Sequence, residues 1–225
     1  MIARWITSFW KKRKKYRLLD VGAGNGTLLR MLRPYALEIS AIEPDSKLAN
    51  QLRTTNTNIR VYEKKWENSH LTSQYDAIIA SHVFYYFPRP SWKQQINKMV
   101  RSLTKDGKLF IVVNSPQTGF MDLLSLATRR GLSSQPTQSD VATLRKAAKH
   151  LRLKAAVGTI SCRVTVSSWN KFLALCQFHL ELTSGSLKEI EKKLWQYYTA
   201  LKIYKGKKII NYTLTGFCVS RNDFI

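Results

Sequence analysis

Apolar residues in this chain gather in short, nearly unbroken runs separated by polar or amphipathic stretches. DAIIA, within residues 75–81, and LFIVV, within 107–114, have the length and continuity of strands covered on both faces. The alternation predicts strand 17–21, helix 26–33, strand 37–43, helix 45–54, strands 58–62 and 75–81, helix 91–102 and strand 107–114. That is the rhythm of βαβ units and of a parallel, doubly wound α/β sheet. Pro44, Pro88 and Pro90 punctuate the strand exits. Further on come a loop rich in Ser, Gln and Pro (131–139), a helix 139–150, a strand near 152–160, helices 167–181 and 186–203, and a last strand 208–219. No clean domain boundary and no internal repeat interrupts this order.

At 225 residues with 44% apolar content, the chain can bury one sizeable core. The expected organisation is a basic amphipathic segment over residues 1–16 followed by a single domain over 17–225. Cys162, Cys176 and Cys218 are odd in number, with no CxxC pair and no His/Cys cluster. Reduced thiols in a cytoplasmic compartment and no metal site are therefore expected. No apolar stretch reaches the roughly eighteen residues of a membrane span.

The charge changes the picture. Thirty-seven Lys and Arg face fourteen Asp and Glu, a net +23, which makes a polyanionic partner an expectation. The densest run is KKRKKYR, residues 11–17, preceded by Trp5, Ile6, Phe9 and Trp10. It reads as a peripheral anchor for an anionic membrane or nucleic acid, as a solvated helix leading into the first strand, or as a mitochondrial targeting segment.

The candidate chemistry begins at LLDVGAGNG, residues 18–26. A strand feeding Gly22, Gly24 and Gly26, with a helix starting there, brings backbone amides against a ligand at the carboxyl end of a sheet. A dinucleotide fingerprint would place its third glycine at 27, where this chain has Thr27, and would not need Asp20. Glu43 ends the second strand about twenty residues on, where a carboxylate can accept bonds from ribose hydroxyls.

DVGAGNG, then AIEPD, then YDAIIASHVFYYF resembles the class I methyltransferases that use S-adenosylmethionine, over residues 16–114. The resemblance implies a Rossmann-like, seven-stranded sheet, mostly parallel with an antiparallel C-terminal strand. It places Asp20 and the turn Gly22, Ala23, Gly24, Asn25 and Gly26 at the methionine part of the cofactor. Glu43, with Pro44 after it, belongs at the ribose, Lys65 and Trp66 at the adenine, and Ser81 at the fourth strand's exit beside the cofactor. That family often carries an acid after its third strand, where this chain reads KKWEN.

SHVFYYF, KLFIVVNSPQTGF, WNKFLALCQF and KKIINYTLTGF are similar in order and character to histamine N-methyltransferase and its relatives. By that resemblance the acceptor is lined by His82, Tyr85, Tyr86, Phe120 and Asn211 or Tyr212. His82 stands where that family has a glutamine, and a +23 protein disfavours a cationic amine. A small-molecule or peptide acceptor, neutral or anionic, methylated at N or O, is expected. The alternatives are an RNA-directed methyltransferase, against which SHVF lacks the (N/D)PPY pattern, and a non-catalytic module that uses its basic surface.

Little side-chain chemistry is needed. The sulfonium is already an excellent leaving group, so alignment supplies much of the rate and a base matters only for a protonated acceptor. His82 is the candidate base, with pocket shaping as the other reading. Trp195, Tyr197, Tyr198 and Tyr204 have spacings that suit core packing.

Overall fold

The continuous apolar runs become the middle of a sheet. The structure, a computed structural model, describes residues 1–11, 14–55, 58–72, 74–115, 140–180 and 184–221. The strands are β1 (Tyr16–Val21), β2 (Ala36–Ile42), β3 (Ile59–Tyr62), β4 (Tyr75–Ser81), β5 (Leu103–Asn114), β6 (Ala155–Val166), β7 (Ile203–Tyr204) and β8 (Lys207–Ser220). The described helices are α1 (Ile2–Thr7), α2 (Thr27–Leu32), α3 (Ser46–Thr55), α4 (Trp92–Arg101), α5 (Asp140–His150), α6 (Trp169–Leu180) and α7 (Ser184–Ala200). Sheet order is β3-β2-β1-β4-β5-β8-β6, and the neighbours from β3 to β5 pair in parallel. This is the Rossmann-like doubly wound arrangement. The short β7 adds an eighth strand, antiparallel to β8, where a helix to residue 203 was expected. The helix stops at Ala200, and Lys205 and Gly206, both at positive φ, form the two-residue hairpin turn between β7 and β8.

The chain divides into two compact units. One holds Met1–Asn114, Val141–Ile160 and Thr215–Ile225; the other holds Ser115–Asp140 and Ser161–Leu214. Two of its four crossings fall inside β6 and β8, where no shift in composition marks them in the sequence.

In the first unit, alternate residues of β1, β4 and β5 serve opposite faces. Leu19, Val21, Ile78, Ala80, Leu109 and Ile111 join Trp92, Ile96 and Met99 of α4 and Leu144 of α5. Leu18, Ala77, Ile79 and Phe110 join Ile6 of α1 and Leu32 of α2. Ile6 is fully buried, a contribution of roughly 1.5–3 kcal/mol. Trp5 lies against two strands at glycines. A Cβ at Gly216 would stand 2.6 Å from the Trp5 ring, and one at Gly158 would stand 2.8 Å from its Nε1. Phe9 and Trp5 meet Phe110 edge-on at 5.8 Å. The aromatic residues that gave residues 1–16 an amphipathic look are thus packed onto the sheet, not held out as a free apolar face.

The second unit packs Val166, Phe172, Cys176, Ile190, Leu194 and Ile210, with Tyr197 and Tyr198 against them as their spacing indicated. Trp195 and Tyr204 are about half exposed. All three cysteines are buried and outside any disulfide. Among the described residues no helix is long and apolar enough to cross a membrane.

Candidate active site

The turn after β1 is bare for two separate reasons. Gly22, Gly24 and Gly26 take φ of 72°, 55° and 73°, in the left-handed region that side chains disfavour. At Gly22 the space is also closed, because a Cβ would stand 2.8 Å from Cγ2 of Val83 at the exit of β4. At Gly24 it is open, with no atom within 4 Å of where a Cβ would lie. The N–H groups of Gly22 and Ala23 both donate to Ile42 O, at 2.8 and 3.1 Å, which pins the turn to the end of β2. Asn25 steadies the far side. Its Oδ1 accepts from Thr27 N–H at 3.1 Å and from the Thr27 hydroxyl at 2.7 Å, and its carbonyl accepts from Arg30 Nη1 at 2.8 Å.

Two acids lie beside that turn. Glu43 is buried, its Oε2 accepting from Gly24 N–H at 2.7 Å and its Oε1 from Asp45 N–H at 3.0 Å. Each oxygen keeps a further lone pair for a ligand hydroxyl. Asp20, 3% exposed, has its carboxyl pushed up to about 8, by burial first and by the charge of Glu43 second. An acid in that state gains from a cation placed next to it. Pro44 is exposed and leads to Asp45, which caps α3 by accepting from Leu48 N–H at 2.9 Å.

At the exit of β4, Ser81 is half-buried opposite Val112. His82 takes a φ of 57°, unusual outside glycine, and its N–H donates to Val112 O at 2.9 Å. Asn114 N–H donates to the Tyr85 hydroxyl oxygen at 2.6 Å. The same hydroxyl lies 3.4 Å from His82 Nδ1, within hydrogen-bond distance. The paired-tyrosine wall does not form: Tyr86 is 72% exposed, because a one-turn 3-10 helix over Phe84–Tyr86 sends consecutive side chains apart. Phe120 lies outside the described residues.

Other expected positions sit elsewhere. Trp66 is 2% exposed within the core, with the Lys98 ammonium 4.6 Å over its ring and donating to its carbonyl at 2.6 Å. Its indole is a packing group, and of the expected adenine pair only Lys65 is exposed. The acid following β3 is Glu63, which sequence reading passed over. Arg53 holds it at 2.9 Å, and hydrogen bonds from Ser46 and then Arg53 lower its pKa. Asn211 and Tyr212 belong to the second unit. Asn211 Oδ1 accepts from Arg163 Nε at 3.4 Å, while burial, then the neighbouring Cys162 thiol, pushes the Tyr212 hydroxyl up to about 12. Val83 was also missed, since its role against Gly22 depends on two strand exits meeting. Among the described residues no group of three or more His, Cys, Asp or Glu could hold a metal ion.

Asp20, the 22–26 turn, Glu43, Ser81, His82 and Tyr85 therefore share the first unit, at the carboxyl ends of parallel strands, where open α/β sheets bind ligands. The family model described as "Methyltransferase domain" matches residues 1–181. An uncharacterized methyltransferase of Staphylococcus carnosus (strain TM300) is 31% identical over 96 residues. That match covers 43% of this chain and 46% of the relative, so the chain spans about half the relative's length. The fold is shared with a candidate methyltransferase of Bacillus halodurans C-125, at a TM-score of 0.69 and 14% identity, covering 97% of this chain and 98% of that one. It is also shared with the plantazolicin methyltransferase BpumL, solved with a monoazolic desmethyl analogue and S-adenosylhomocysteine, at a TM-score of 0.56 and 14% identity, covering 97% and 80%.

Proposed function

The chain belongs to the methyltransferase-domain family, whose methyl donor is S-adenosylmethionine, and we propose that it transfers that methyl group to a neutral or anionic small molecule or peptide. The observation that carries the reading is the clamp of Gly24 N–H by Glu43 beneath an open glycine turn. The residues fit the donor. Glu43 has lone pairs for the ribose hydroxyls, Gly24 leaves room for the chain of the ligand, and Asp20 is a buried acid that favours a cation, which the donor's ammonium and sulfonium supply.

The donor contributes a methyl group on a sulfonium leaving group; the protein's part is to hold and align. His82 and Tyr85 stand at the exit of β4 as acceptor-side residues of this proposal. The Tyr85 hydroxyl, 3.4 Å from Nδ1 and bonded by Asn114 N–H, orients the His82 ring at that exit. Tyr212 and Asn211 enter the proposal only through the likeness to histamine N-methyltransferase. A peptide acceptor is included because BpumL is a plantazolicin methyltransferase. The net charge of +23 disfavours the approach of a cationic acceptor.

The test is incubation of the protein with S-adenosylmethionine and a panel of neutral, carboxylate-bearing and cationic small molecules and peptides, followed by mass spectrometry for one added methyl group. Methylation confined to neutral or anionic members is expected. Methylation of cationic amines alone would overturn the acceptor class, and a bound donor never consumed would indicate a binding module.

A further inference from the structure

The corner where α2 runs into β2 is apolar on its outside. Met31, Tyr35 and Leu37 are 55%, 43% and 66% exposed within seven consecutive positions. Pro34 ends α2 and turns Arg33–Tyr35 into a 3-10 helix, which leaves Tyr35 at the surface, and Leu37 is the unpaired residue of an irregularity at the start of β2, between the pairs Tyr16–Ala36 and Arg17–Glu38.

Trp10, Lys14 and Lys15 fold against the same corner. Lys15 Nζ donates to the Pro34 carbonyl, Trp10 stacks on Tyr16 at 4.6 Å, and Trp10 meets Tyr35 edge-on at 5.7 Å. Lys14 lies 5.4 Å over the Tyr16 ring. Lys11, Lys14, Lys15 and Arg33 are all exposed around the three apolar side chains. Residues 1–42 contain two acids, Asp20, which is buried, and Glu38, which lies near Arg60.

We propose that this corner docks the protein on an anionic lipid bilayer, with Met31, Tyr35 and Leu37 entering the interface and the surrounding cations meeting lipid phosphates and carboxylates. Lipid is the occupant that uses both halves of the surface. Cations near an anionic leaflet each add affinity, and aliphatic side chains gain only if a hydrocarbon boundary takes them out of water. A nucleic acid would engage the cations and stack on Tyr35, yet leave Met31 and Leu37 wet. A second copy of a +23 chain would bring like charge to like charge. The corner lies at the amino ends of β1 and β2, about 20 Å of strand away from the glycine turn, so docking leaves the proposed active site uncovered.

The experiment is co-sedimentation of the full protein with phosphatidylcholine vesicles, with and without phosphatidylserine, at low and high salt. Binding only to the phosphatidylserine vesicles, weakened by salt, is expected. The double variant Met31→Ser/Leu37→Ser should bind them about tenfold more weakly while keeping its affinity for a single-stranded RNA oligonucleotide. Lys11→Glu/Lys14→Glu should weaken both. Unchanged vesicle binding by the serine variant, or equal binding to phosphatidylcholine alone, would overturn the proposal. RNA binding that falls in step with vesicle binding would make the corner a nucleic-acid surface. The thermal shift given by S-adenosylhomocysteine, measured on each variant, shows that the fold and donor site are intact and reports separately on the methyltransferase reading.

Discussion

The Gly24 amide donates to Glu43 Oε2 across 2.7 Å, so the turn after β1 and the acid ending β2 hold each other in place. Above that contact the space over Gly24 is open. Gly24→Ala should therefore separate folding from binding. The left-handed φ makes alanine cost about 1 kcal/mol of stability, while its methyl group enters the ligand's space. Denaturant unfolding should show the small loss, and titration with S-adenosylhomocysteine a loss of affinity of about tenfold or more. Equal affinity would mean that the ligand does not lie on this turn.

Trp5 and Gly216 should be energetically coupled. Gly216→Ala puts a methyl group into the Trp5 ring and should destabilise the protein by about 1–3 kcal/mol. Trp5→Ala opens that space, so the double variant should be more stable than the sum of the two single losses implies. Additive losses in a double-mutant cycle would show that α1 is not seated there.

Asp20 makes both stability and affinity depend on pH. Its carboxyl is raised from 3.8 to about 8, so its contribution to stability is present below pH 4 and is lost as pH rises towards 8. A ligand ammonium reverses the preference, so S-adenosylhomocysteine should bind more tightly as pH rises from 6 to about 8, with proton release, and level off above. Calorimetry in buffers of different ionisation enthalpy checks this. Asp20→Asn should flatten both dependences, and a wild-type affinity independent of pH would contradict the role.

Tyr85→Phe removes the hydroxyl shared by Asn114 N–H and His82 Nδ1. Turnover should fall about tenfold, about 1.4 kcal/mol of barrier, with affinity for S-adenosylhomocysteine nearly unchanged. His82→Gln should do the same. A loss of several thousandfold for His82→Gln with intact binding would make His82 a general base.

How much of this was legible depends on whether the cause was local. DAIIA and LFIVV announced buried parallel strands because continuity of apolar residues is a local property. The glycine turn and Glu43 were readable because strand exits set their spacing. Trp5, Phe9 and Trp10 were not, since what covers them is Phe110 and the glycines of two late strands, about a hundred residues or more away. Tyr86 followed Tyr85 in sequence but not in space, because a 3-10 turn separates neighbours. The polar stretch LTKD at 103–106 read as a connection, yet Leu103 pairs with Tyr75 and extends β5 across a bulge. Glu63 was passed over because nothing in KKWEN marks the acid just before it.

The central claim is that Glu43 and the turn around Gly24 hold S-adenosylmethionine. Calorimetric titration of wild-type protein and Glu43→Ala with S-adenosylhomocysteine tests it most directly. The account predicts saturable one-site binding by the wild type and a loss of about ten- to a hundredfold in Glu43→Ala, from the missing ligand bonds and the loosened turn. No binding by folded wild-type protein, or the same affinity in both proteins, would contradict it.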